Sequence, residues 1–126
     1  MKNVVISLII SVLMIISMSF SIKYLNKASQ NLERLIDEIE KNIADDNWDK
    51  AYKTTIELTD KWKDYSKKIK LFSNHQEIDN IEMELQKLPQ YIKEKTKDES
   101  LACAYVLKFL LHHIADLEKI RLENIF

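Results

Sequence analysis

Three histidines, His75, His112 and His113, carry the ring nitrogens best suited to acid-base or metal chemistry near neutral pH. His75 stands in "LFSNHQEID" four residues before Asp79, and His112 stands four before Asp116, so on a helix each shares a face with a carboxylate. Such a pair can supply one side of a metal site or make a surface hydrogen bond. Di-metal helical bundles use Glu-x-x-His, but here Phe72, Phe109 and Leu110 stand three residues before the histidines, and HExxH is also absent. If the last two helices pair antiparallel, His113 faces Ile81 and lies about 9 Å along the axis from His75, too far for one ion. The expectation is packed or capping histidines, with no catalytic, cofactor-binding or metal residue and no cofactor. A small-ligand or metal-binding helical bundle centred on His75 is the alternative.

Cys103, the one cysteine, excludes an intrachain disulfide and any CxxC motif, and "LACAYV" around it reads as apolar packing. The chain has no glycine, so phosphate-cradling loops and the GxSxG nucleophile elbow are excluded, and turns needing positive φ are expected to be missing. Nineteen basic against twenty acidic residues leave a net charge of -1, which gives a polyanion no overall attraction, so no nucleic acid partner is expected. With no acid-base dyad set apart in an apolar setting, the chain is not expected to be an enzyme.

The elements that must position these residues read as all-α. Val4 to Ile22, "VVISLIISVLMIISMSFSI", has serines as its only polar members and as a helix spans roughly 28 Å, the thickness of a bilayer core. Residues 1–22 are therefore expected to be a transmembrane anchor or signal segment, in contact with membrane lipid, and 23–126 a helical bundle domain. Lys23, Lys27 and Arg34 favour an inside location for that domain, but a short basic N-tail followed at once by an apolar stretch is the layout of an exporting signal anchor. The expectation is a single-pass protein of the cell membrane with an extracytoplasmic C-terminal domain.

Past the anchor, Leu25, Ala28, Leu32, Leu35 and Ile39 continue the helix as an amphipathic one to about Ile43. After "ADDNW", with Asp46 or Asn47 as cap, Trp48, Ala51, Thr55, Leu58, Trp62, Tyr65, Ile69 and Phe72 recur at alternating spacings of three and four. Ser73 to Gln76 fits an S-x-x-Q capping box that opens a third helix with Ile78, Ile81, Leu85, Leu88 and Ile92 inward and a kink at Pro89. Thr96 to Glu99 is a second capping box, before a fourth helix with Leu101, Ala104, Leu107, Leu110, Leu111, Ile114 and Leu117 inward. Four such pieces with short loops predict an N-terminal transmembrane helix continuing into an antiparallel up-down-up-down four-helix bundle. That topology faces Lys67 with Asp79, and Lys63 with Glu82 or Glu84. It also sets the turn at Leu71 and Phe72, together with Ile125 and Phe126, at the membrane end.

"NWDKAYKTTIELTDKWKDY", "NHQEIDNIEMELQKL" and the ending "HHIADLEKIRLENIF" behind a single apolar segment resemble the domain of unknown function 4363 family, short single-anchor membrane proteins of low-GC Gram-positive bacteria. The resemblance spans nearly the whole chain and implies a membrane-associated, exported helical domain without an assigned activity. It also implies a YetF-like membrane protein as a partner. The functional expectation is a noncatalytic interaction module for another membrane or envelope protein, using Tyr52, Ile56 and Phe109, which lie off the inward stripes. Trp48, Trp62 and Tyr65, at heptad spacing, are expected in the core and not around a ligand.

Overall fold

A computed structural model describes residues 1–125, with side chains through Asn124. The expected placement of Phe126 and of the Ile125 side chain at the membrane end lies outside the described residues. Four helices follow in order: α1 (Lys2–Ala44), α2 (Trp48–Ile69), α3 (His75–Lys93) and α4 (Lys97–Ile125). Each packs against its neighbours in sequence, and α1 closes the ring against α4, so the arrangement is an antiparallel four-helix bundle. The α2–α3 seam is the most sparsely packed of the four.

The C-terminal half of α1 forms one wall of the core with Leu25, Ala28, Leu32, Ile36, Ile39 and Ile43, each at most 3% exposed. Ala51, Thr55, Leu58, Trp62 and Ile69 of the expected α2 stripe are buried, while Trp48, Tyr65 and Phe72 are half-buried at its margins. Thr55 tolerates full burial because its hydroxyl donates to the Ala51 carbonyl (2.8 Å), and Thr54 and Thr59 donate in the same way to Lys50 and Thr55. α2 ends at Ile69, so Phe72 belongs to the following turn and not to the helix.

The helix ends correct three expectations. Positive φ is not missing: Asp46 (φ 57°) and Lys95 (φ 56°) are both left-handed, each just past a helix. After α1, Asn47 N–H donates to Asn42 O and Asp46 N–H to Ile43 O. After α3, Thr96 N–H donates to Tyr91 O and Lys95 N–H to Ile92 O. These are two Schellman closures in which ordinary residues take the place usually held by glycine. A Cβ in that conformation costs roughly 1–2 kcal/mol, so Lys95→Gly is expected to stabilise the bundle by about 1 kcal/mol, read as a higher melting temperature.

The second correction concerns α3, whose cap is Asn74 and not Ser73: Asn74 Oδ1 accepts from Gln76 N–H (2.9 Å), while Ser73 Oγ is buried without a partner among the described residues. Asn74→Ala should therefore cost about 1 kcal/mol, while Ser73→Ala costs nothing or stabilises, because no bond is lost and a buried orphan disappears. Denaturation of the two variants side by side checks this. Thirdly, the Thr96 hydroxyl donates back to the Tyr91 carbonyl (3.1 Å), and among the described residues no N–H of the first turn of α4 donates to it. α3 itself runs uninterrupted through Pro89.

The first half of α1 stands apart from the bundle. Its apolar residues are open, Val4 at 71%, Leu8 at 65% and Leu13 at 60%, and the most apolar stretch of the helix has none of its residues buried. Its serines are satisfied within the helix, Ser11 donating to Ser7 O and Ser21 to Ser17 O. This helix is long and apolar enough to cross a membrane. By length and composition α4 passes the same test, but it lies against the bundle, with 39% of its most apolar stretch buried.

Candidate functional site

Chemistry-bearing side chains gather at the end where α2 turns into α3 and α4 finishes. Arg121 on α4 donates from Nη1 to the Phe72 carbonyl (3.1 Å) and lies 3.3 Å from Glu118, so the last turns of α4 hold the α2–α3 turn in place. Ser73, Asn74, Glu77, Ile114, Leu117 and Glu118 line a small gap beside that contact, too small for a ligand. Glu118 is 7% exposed, and burial raises its carboxyl above the usual 4.5 against the opposing pull of Arg121. A raised folded value means stability that is full below 4.5 and is lost as pH rises through the folded value. Glu118→Gln is therefore expected to melt higher than the parent at neutral pH, with the difference closing as the solution is acidified below 4.5.

His113 reaches this corner: its Nε2 lies 3.8 Å from Glu77, not opposite Ile81 as expected. The α3–α4 turn is centred on Lys95, two residues before Lys97, and this shifts the pairing by about one helical turn toward His75. His75 is exposed at the first position of α3, so it is not packed, and it makes no ion pair or side-chain hydrogen bond among the described residues. His112 pairs across to Glu33 on α1, not within its own helix to Asp116. Among the described residues no three of His, Cys, Asp and Glu come close enough to hold a metal ion.

The remaining predicted residues divide between core and surface. Trp62 is 3% exposed, and its Nε1–H has no acceptor among the described residues. The Tyr65 hydroxyl accepts from Asn31 Nδ2 (2.6 Å), which ties α2 to α1. Tyr52 is half-buried with Lys93 over its ring (5.4 Å), so it serves the α2–α3 seam and is not a free contact residue, whereas Ile56 (43%) and Phe109 (58%) are open. Cys103 is 3% exposed, and its thiol donates toward Glu84 Oε2 (3.2 Å) and Glu84 O (3.3 Å).

Across the α2–α3 seam the ion pair is Lys70 with Glu82 (3.2 Å), and the expected Lys67–Asp79 and Lys63–Glu82 or Glu84 pairs are not among the described contacts. Lys70 lies in the turn, just beyond the end of α2. A groove of about 710 Å³ opens above it, floored by Trp62 and Leu85.

Two features are not announced by the apolar periodicity. Lys108 bridges to Asp37 (2.6 Å) and Glu40 (3.1 Å) of α1, and the bond to Asp37 foremost holds its ammonium above the usual range. Tyr105 (70%) and Val106 (37%) join Phe109 as an outward apolar strip on α4, with Phe109 stacked on His113 (centroids 5.8 Å, planes 10° apart). The one-turn spacing of Tyr105 and Phe109 was the available signal.

Together these observations define a helical-bundle protein whose first helix runs on as an exposed apolar segment of membrane-spanning length. The model of the family described as Domain of unknown function (DUF4363) matches residues 19–125, and the chain belongs to that family. No curated protein and no solved structure matches it.

Proposed function

We propose that the protein is a noncatalytic interaction module held in the cell membrane by α1 as a single pass, with residues 23–126 on the extracytoplasmic side binding another membrane or envelope protein. The observation that carries this reading is α1 itself. One helix of 43 residues has open apolar side chains along its first half and core side chains along its second, so the bundle is rigidly continuous with the apolar segment. An exposed segment of that length costs too much in water to be left without lipid or partner. The strip of Tyr105, Val106 and Phe109 supports the second half of the reading, because aromatic residues open on a helix face are typical anchors of protein interfaces.

A YetF-like membrane protein is the proposed partner. A photoreactive amino acid at Phe109 is expected to give one discrete adduct in native membranes, identifiable by mass spectrometry, while the same probe at exposed Lys53 on α2 gives none. Equal labelling at both positions, or none at Phe109, would exclude the α4 strip as the contact.

A further inference from the structure

We propose that the α2–α3 turn is a second membrane-contact site, one that seats Leu71 in an anionic lipid surface with Lys23, Lys67 and Lys68 against the headgroup phosphates. This rests on the reading of α1 as an anchor. The level of the turn follows from two independent sets of contacts. Tyr24 of α1 packs edge-on against Tyr65 (5.9 Å) and beneath Lys68 (5.2 Å to the ring), so Lys68 stands level with Tyr24. Leu71 lies beyond the end of α2, in the turn that follows Lys68 on the side of the apolar half.

From the other side of the bundle, His112 meets Glu33, and nine residues on in the antiparallel sense Arg121 comes level with Tyr24. Arg121 there donates to Phe72 O (3.1 Å). Both routes put the turn where α1 leaves its apolar stretch, which is the boundary of a bilayer's hydrocarbon core.

The residues found at that level suit such a boundary. Leu71 is 84% exposed, and Phe20 (73%) and Ile120 (51%) lie open at the same end. Tyr24 has the amphipathic ring favoured at a membrane interface. Among the described residues Lys23, Lys67 and Lys68 are exposed with no carboxylate in ion-pair range, whereas Glu77 and Glu118 nearby are answered by His113 and Arg121. Asp79 and Glu123 are exposed on the α3 and α4 side, and Asp64 one turn above Lys68 faces Tyr24, so the contact is placed below Asp64 on the α1 and α2 side of the tip, with Lys67 at its α3 edge, where basic side chains meet anionic headgroups. Arg121 fixes the turn, so no loop must be ordered for Leu71 to insert.

The test uses the full chain in a Cys103→Ala background, reconstituted in vesicles of phosphatidylcholine with or without phosphatidylglycerol. An environment-sensitive fluorophore is attached in turn at Leu71→Cys, at exposed Met83→Cys on α3 and at Leu13→Cys within the apolar segment. With phosphatidylglycerol present, the label at 71 is expected to shift to the blue and to be quenched by lipids spin-labelled near the headgroup. The label at 83 stays unquenched, and the label at 13 responds to spin labels deep in the chains. Lys67→Gln with Lys68→Gln should remove the phosphatidylglycerol-dependent part of the quenching at 71 and leave quenching at 13 unchanged. A label at 71 that stays solvent-like while 13 is quenched would overturn the turn contact alone. One that shifts to the blue without lipid quenching would assign the tip to a second copy of the chain. An unquenched label at 13 would remove the anchor and this proposal with it.

Discussion

Replacing Trp62 with alanine is expected to cost the bundle about 3–5 kcal/mol and to lower its melting temperature by at least about 12 °C. The indole lies among Leu25, Ala28, Ser29 and Leu32 of α1, Ile81 and Leu85 of α3, and Leu111 and Ile114 of α4. A cavity there is lined by side chains of all four helices and cannot collapse by moving one of them. Trp62→Phe should lose far less, because the ring volume is mostly kept and the unpartnered Nε1–H, itself a buried cost, goes with the indole. Thermal denaturation of the two variants against the parent decides the matter. An alanine variant that melts with the parent would show that the four helices do not share this core.

The second large effect is chemical. Burial, then the hydrogen bond to Glu84, pushes the Cys103 thiol from the ordinary 9.0 up to about 12. Since the thiolate is the reacting species, alkylation of the folded chain at about pH 8 should run roughly a thousandfold slower than that of the unfolded chain. Addition of guanidinium should restore the rate. The same shift sets an alkaline limit on stability. A thiol whose folded value is raised favours folding fully below 9.0, and that contribution fades as pH climbs toward 12. Rapid labelling under native conditions would mean that the α3–α4 seam opens locally.

Much of the fold was legible because it repeats. The alternating three and four spacing from Trp48 to Ile69, and the apolar stretch from Val4 to Ile22, each carry many residues that agree, so a single exception changes nothing. The helix ends were less legible because each is decided by one or two residues and by what packs on them. Ser73 and Asn74 are both competent caps; Arg121, 28 residues beyond the end of α3, grips Phe72 and leaves Ser73 inside and Asn74 free to cap. Positive φ at Asp46 and Lys95 was not readable from a chain without glycine, since residue type alone gives no sign that tertiary packing will impose it.

The candidate site was hardest to read. His113 with Glu77, and His112 with Glu33, depend on interhelical register, and a turn centred two residues earlier moves a facing partner by four. Lys108 and the acids of α1 are far apart in sequence and join only across the closed ring.

The unbroken α1 has a mechanical consequence. Forty-three helical residues make a rod about 64 Å long, with no glycine, proline or loop along it to act as a joint. If its lower half is tilted in a bilayer by about 20°, the far end of the bundle is carried sideways by roughly 11 Å, and twisting the rod about its axis turns the Tyr105–Phe109 strip through the same angle. On the reading of α1 as an anchor, the lipid thickness around the protein thereby sets the tilt at which the strip is presented, and a neighbour that gripped the strip would in turn feel the pose of the rod.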